Sequence, residues 1–321
     1  MAQLISDLFV RHLSNAYLSQ GDDGARLPMA SGRLVMSTDA HVVSPLFFPG
    51  GDIGSLSVNG TINDVAVMGA RPLYLAASFI LEEGLPLRDL DRLIASMAQA
   101  SQTAGVPVVT GDTKVVEKGK ADGVFITTCG LGVIDDPHRD LSGRHARPGD
   151  QILISGTVGD HGTAVMSLRE NLSFSTAITS DSAALHNLVN TILATGAQIR
   201  CLRDPTRGGL ATTLNEIATQ SGVGVMLEEA AIPIHPEVAA ACEFLGLDPL
   251  YVANEGKLVV VVAAADAPAV LAAMQNHPLG KRAARIGEVH LDDHHFVHLK
   301  TRMGGRRLVD WLYGDPLPRI C

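Results

Sequence analysis

The chain has 321 residues, of which 46% are hydrophobic, 18% charged and 4% aromatic, and its formal net charge is −9. That length gives material for about two cores of roughly 150 residues each, built from Ala, Val, Leu and Ile as layered helices and strands are. The acidic balance excludes a general affinity for nucleic acid or anionic membrane; no run of about 18 apolar residues spans a bilayer, no signal-peptide pattern opens the chain, and cysteines without a Cys-x-x-Cys pair point to a cytoplasmic location with reduced thiols.

Leu4, Ile5, Leu8, Phe9, Leu13 and Tyr17 recur at helical spacing, so residues 3–19 are expected to form an amphipathic helix. A strand is expected over 33–43, a glycine turn over 50–54, and a helix of small residues over 55–68 that ends at Gly69. A strand over 71–81, a helix over 87–104 behind Pro86, a short buried strand over 106–110 and a strand over 124–134 follow. Arg147-Pro148-Gly149-Asp150 is a turn cluster, which divides the chain into an N-terminal domain of residues 1–147, a C-terminal domain of residues 148–302 and a final segment of residues 303–321. The second series has strands over 151–155, 224–228, 257–263 and 284–289, and helices over 163–170, 182–194, 208–220, 236–245 and 266–276. Two prolines in 314–321 exclude regular structure there, so an extended, mobile tail is expected. The fold class is α/β, two domains running strand–loop–helix.

The G-x-x-x-x-G-K-[ST] phosphate loop and the G-x-G-x-x-G dinucleotide turn are both missing, so any nucleotide must be held by another geometry. Acidic residues stand instead at strand ends and in an apolar helix: Asp39 after Ser37-Thr38, Asp64 after Asn63 and before Val65-Ala66-Val67-Met68, and Asp112 in Gly111-Asp112-Thr113-Lys114. Each alone reads as a cap or turn. Together they suit magnesium, which takes oxygen ligands and bridges to phosphates, and a buried carboxylate such as Asp64 needs a partner of that kind. Lys114 is either a solvated charge or a cation beside phosphate, or a base if buried. Glu255, in Asn254-Glu255-Gly256-Lys257, is either a turn carboxylate or an acid/base group. Asp204-Pro-Thr-Arg-Gly-Gly209 precedes a helix whose amides, with Arg207, could receive phosphate; Gly156-x-x-Gly159-x-x-Gly162 is a weaker signal of the same kind. His290, His294, His295 and His298, with Asp292 and Asp293, sit in a turn without zinc-type cysteine spacing and read against a metal site. Cys321 on its Pro-rich tail is an exposed, mobile nucleophile once deprotonated, whereas Cys129, Cys201 and Cys242 read as core thiols.

The stretches Ser37–Asp39, Ser44–Gly54, Asn63–Gly69, Phe79–Gly84, Thr110–Val116, Asp204–Gly209, Asn254–Lys257 and the ending Pro318-Arg-Ile-Cys321 together resemble the HypE family of hydrogenase maturation factors, within the PurM-like (AIR synthetase-like) ATP-binding superfamily. The resemblance spans nearly the whole chain, and its most specific element is the terminal Pro-Arg-Ile-Cys. It implies a two-domain PurM-like fold, a homodimer formed through the N-domain strands, and an ATP-dependent carbamoyl dehydratase. A carbamoyltransferase, HypF, would load the Cys321 sulfur; the tail would fold into the enzyme's own cleft; ATP would drive dehydration to a thiocyanate; and the cyano group would pass through the HypC–HypD complex to the iron of [NiFe]-hydrogenase. Carried over residue by residue, Asp39, Asp64 and Asp112 would hold Mg2+ and ATP phosphates with help from Asn63, Thr113 and Arg207, while Lys114 and Glu255 would flank Cys321 and remove protons. A small-molecule phosphotransferase or amide-activating synthetase of the same superfamily is the alternative. The resemblance also expects a His-Gly-x-Gly-Gly segment before the first helix, which these 321 residues do not contain.

Overall fold

The computed structural model describes residues 2–20, 24–28, 30–170, 178–312 and 319–321. Helical turns run through Ala2–Leu4, Ile5–Val10 and Arg11–Leu13, the middle piece π-helical. The helix stops short of residue 19 because Asn15 offers the backbone a local alternative: its side-chain oxygen accepts from the amides of Tyr17 and Leu18, and its nitrogen donates to the Leu13 carbonyl. The Phe9 ring meets Phe79 edge-on at 4.8 Å and pins the segment to the first sheet.

That sheet has four strands in the order Arg33–His41, Val124–Ile134, Arg71–Glu82, Val108–Val116. The helices Ile53–Val67 and Leu87–Ala104 cover one face. Ile53–Val67 opens with a capping box between Asp52 and Ser55 and is buried nearly all round, which is why it is made of Gly, Ser, Asn and small aliphatics. Leu87–Ala104 buries only Leu90, Leu93, Ile94, Met97 and Ser101, the stripe its 3.6-residue period lays down. The other sheet face is open, with Leu34 63% and Met36 72% exposed. Its edge strand is longer than the sequence indicates: Gly111-Asp112-Thr113-Lys114 lies inside Val108–Val116 rather than in a turn after it, since an edge strand tolerates polar residues that a central one would not.

The second sheet runs Arg306–Leu308, Val297–Lys300, Gly224–Glu228, Ala284–His290, Gln151–Ile154, Val259–Val262, Ile199–Arg203. Val259–Val262 is apolar at every position because helices cover both faces. Val259 and Val261 pack with Leu210, Leu214 and Ile217 of Gly209–Ser221, and Val260 and Val262 with Leu188, Ile192, Val270 and Met274 of His186–Leu193 and Ala267–Asn276. Ile199–Arg203, Val297–Lys300 and Arg306–Leu308 are short and charged, and carry no period that sequence reading detects. Among the described residues no helix is long and apolar enough to cross a membrane.

Candidate active site

The two sheets meet along a cleft floored by Ile53–Val67. Asp39 points inward from the first strand, where the Thr61 hydroxyl donates to its Oδ2 at 2.9 Å. One helical turn on, Asp64 accepts from the Ser37 hydroxyl at 2.6 Å. Asp204 arrives from the loop after Ile199–Arg203. Burial and then the neighbouring Asp39 push the Asp64 carboxyl up to about 6; burial and then Asp64 push Asp204 up to about 7. None of the three forms an ion pair among the described residues. Arg203 lies near enough to favour the charged forms of Asp64 and Asp204 without pairing with either, and three converging oxygen-donor side chains are the donor set a hard divalent ion takes.

Glu255 completes the group. Its amide and that of Gly256 donate to the two oxygens of Asp181, at 3.1 Å each, and Lys257 Nζ closes on Asp181 at 2.8 Å and Asp160 at 3.4 Å. A side chain at 256 would stand 1.8 Å from the Asp181 carbonyl, so only glycine lets this turn seat. Glu255 is 4% exposed and its Oε1 has no hydrogen-bond partner. Burial first, then Asp181, Asp204 and Asp39, hold its carboxyl well above the usual range.

The tail comes to this group. Residues 313–318 lie outside the described residues, but Arg319, Ile320 and Cys321 are docked, which corrects the expectation of an exposed, mobile cysteine. The amides of Val42 and Ser44 donate to the carbonyls of Cys321 and Arg319, at 3.0 and 3.1 Å, extending the first strand by a short pairing. The Ile320 side chain is 3% exposed in the first core. His161 Nε2 bonds the Ile320 carbonyl at 2.8 Å while its Nδ1 meets the Ser180 hydroxyl. Arg169 donates to the carbonyls of Ser44 and Arg319. The Cys321 thiol meets the Glu255 side chain, and burial and that carboxylate push the thiol up, so the free thiol rests protonated. A cavity of about 320 Å3 is lined by Asp39, Asp64, Asp204, Arg207, Glu255 and Cys321.

The structure thus gathers Asp39, Asp64, Arg207, Glu255 and Cys321. It does not gather Asp112, Thr113 and Lys114. Asp39 is in register with Thr128, Thr128 with Ala77, and Ala77 with Gly111, so Asp112 lies three strand spacings away, about 14 Å. Asp112 and Lys114 also face the open side of the sheet, where they pair with each other at 3.2 Å. Asn63 departs from its expected role for a different reason. Its oxygen accepts from the Leu185 amide at 2.7 Å and its nitrogen donates to the Ala183 and Glu255 carbonyls, so it ties the Glu255 turn down and has no atom left for phosphate. Gly159 and Gly162 likewise spend their amides inside the protein, on Asn254 Oδ1 and the Ala253 carbonyl. Cys129 is half-buried on the open sheet face and is no core thiol. Asp204, Asp181 and His161 were missed. Asp204 opens the Asp-Pro-Thr-Arg segment and could have been read with Arg207; the partners of Asp181 and His161 are too distant in sequence to signal them.

Comparison with known proteins gives two family matches: residues 21–134 to the N-terminal domain, and residues 147–300 to the C-terminal domain, of AIR synthase related proteins. The chain is 67% identical over 321 residues to the carbamoyl dehydratase HypE of Cupriavidus necator, covering 100% of this chain and 91% of that one. It superposes with a TM-score of 0.95 and 50% identity on a crystal structure of the hydrogenase maturation protein HypE in complex with ATP, covering 100% of this chain and 96% of that one. It matches a chain of a HypE–HypF complex with a TM-score of 0.84 and 48% identity, covering 96% and 99%.

Proposed function

The chain belongs to the HypE family of carbamoyl dehydratases, and from that premise we propose that it uses ATP to dehydrate a carbamoyl group carried on its own Cys321 sulfur, within the maturation of a hydrogenase. The observation that carries this reading is the docked tail, which sets the Cys321 sulfur against Glu255 in the carboxylate-lined cavity. An enzyme acting on a free small molecule has no need to fill that cavity with its own last residues.

The carbamoyl oxygen attacks the γ-phosphorus of ATP and ADP leaves. The carbon–oxygen bond then breaks with phosphate as the leaving group, and the nitrogen gives up both protons as the carbon–nitrogen triple bond forms. Sulfur keeps its bond to carbon, so the product is a thiocyanate. Glu255 takes a proton from the nitrogen when it enters the step ionised, and a carboxyl tuned upward by burial is a stronger base than one in water. Asp39, Asp64 and Asp204 would hold Mg2+, which supplies charge neutralisation at the phosphates. Arg207 adds a fork of donors at the start of Gly209–Ser221.

A relative is solved with ATP and another with HypF; we extend both to this chain, with HypF as the carbamoyltransferase, the HypC–HypD complex as the acceptor of cyanide for the iron of [NiFe]-hydrogenase, and the cytoplasm as the setting. The exposed Leu34 and Met36 support a homodimer through the open sheet face.

Intact mass measurement tests the proposal. After treatment with the carbamoyltransferase, carbamoyl phosphate and ATP, the wild-type chain is expected to gain a carbamoyl group and then lose one water, and Cys321→Ala to gain nothing. Glu255→Gln is expected to accept the carbamoyl group and lose water about 100-fold more slowly. A carbamoyl adduct that never loses water in the wild type, or an unchanged rate in Glu255→Gln, overturns the corresponding part.

A further inference from the structure

Far from the cleft, the strands Ala284–His290 and Val297–Lys300 flank Gly224–Glu228. Their inward residues, Val225, Leu227, Val289, Val297 and Leu299, are core. The outward positions bring chemistry together. His290 is in register with Gly224 and His298 with Met226, so both imidazoles stand on the same outer face. Asp292, from the turn between the two strands, joins them, and one potential ligand atom from each of the three lies within 4.8 Å of the others.

Three further observations separate this trio from a chance surface grouping. A side chain at position 224 would stand 2.5 Å from Asp292 Cβ and 2.7 Å from His290 Nε2, so the glycine leaves the notch into which these two residues lean. The Asp292 carboxylate is oriented: its Oδ1 accepts from the His294 amide at 2.8 Å, which leaves Oδ2 facing His290 Nε2 at 3.9 Å. His290 Nδ1 is buried, so the ring presents Nε2, the atom beside Asp292, as its accessible ligand atom.

We propose that His290, Asp292 and His298 form a site for one borderline divalent cation of the zinc class, separate from the magnesium-type carboxylate cluster of the cleft. Two imidazoles and one carboxylate are ligands that such ions prefer over the all-oxygen set. Ligand atoms around a shared tetrahedral zinc stand about 3.3 Å apart, so closing the trio requires rotation of side chains only. Three protein ligands leave one position for water or for a donor from another molecule.

The test uses the full chain carrying Cys321→Ala, so that the tail thiol takes no metal. Zn2+ is titrated in competition with a chromogenic chelator. One zinc per chain is expected, not displaced by excess Mg2+. His290→Gln and His298→Gln should each weaken it at least tenfold, the double variant should abolish it, and Gly224→Ala should weaken it while leaving all three ligands in place. Both histidines face outward, so thermal unfolding in the absence of zinc should change little, and His298→Gln alone decides the matter if the other variants fold poorly. His294→Gln, next to the trio but outside it, should bind as the parent does. Equal zinc binding by His298→Gln and the parent, or equal loss in His294→Gln, overturns the site in favour of loose adsorption on a histidine-rich turn.

Discussion

Burial and then Asp39 raise the Asp64 carboxyl to about 6, and burial and then Asp64 raise that of Asp204 to about 7, from ordinary values of 3.8. The fold therefore favours their protonated forms. The cost of ionising them is absent below pH about 4, grows as the pH rises, and is complete above pH about 7. Removing one charge should relieve that cost where it exists and nowhere else. Asp204→Asn is expected to raise stability at pH 8 without divalent ions by on the order of 2 kcal/mol and to leave it unchanged at pH 4. Thermal unfolding at the two pH values measures both, and a gap between variant and wild type that does not vary with pH would falsify the coupling. The same residues show what sequence reading could reach. Asp39, Asp64 and Glu255 were legible because a charged residue next to an apolar run demands a reason. Asp181 was not, since it acts by holding the amides of Glu255 and Gly256, more than seventy positions away.

The tail is held by three different elements: the end of Arg33–His41 through the amides of Val42 and Ser44, the helix Asp160–Arg169 through His161 and Arg169, and the first core through the buried Ile320 side chain. His161 is the one that links the tail to the segment carrying Asp181, because its ring bridges the Ile320 carbonyl and the Ser180 hydroxyl. Burial lowers its pKa, which favours the neutral ring that makes this bridge. Loss of one such buried bond costs about 1–3 kcal/mol. In a Cys129→Ser background, His161→Ala is therefore expected to speed the reaction of Cys321 with a bulky thiol reagent by about tenfold. An unchanged rate would mean that the strand pairing and Ile320 suffice to hold the tail. At this scale the sequence was read well where periodicity was strong, as in Val124–Ile134 and Gly224–Glu228, and poorly where function bent the rule. The Gly-Asp-Thr-Lys segment looks like a turn and is an edge strand; the terminal residues look mobile and are seated, because nothing local encodes a partner that arrives from residue 161.

For the whole molecule, the open face of the first sheet is the part a single chain leaves unfinished. It shows Leu34, Met36 and Ile80, and beside them Asp112 and Lys114, which the family resemblance assigns to phosphate and proton chemistry but which lie across the sheet from Cys321. A second copy packed on this face would bury the apolar residues and carry its own Lys114 toward the cavity of the first, since isologous packing exchanges equivalent groups. The arrangement makes a prediction that a self-contained site does not. Lys114→Ala and Cys321→Ala chains are each expected to be inactive in dehydration. Unfolded and refolded together in equal amounts, they should form mixed dimers in which one site receives an intact Lys114 and an intact Cys321, restoring about a quarter of wild-type turnover. The readout is water loss from the carbamoylated Lys114→Ala chain, which is distinguishable by mass from its partner. Recovery places Lys114 in the neighbouring subunit's site. With mixed dimers demonstrated by that same mass measurement, failure to recover any turnover would confine each site to one chain and leave Lys114 without access to the reacting group.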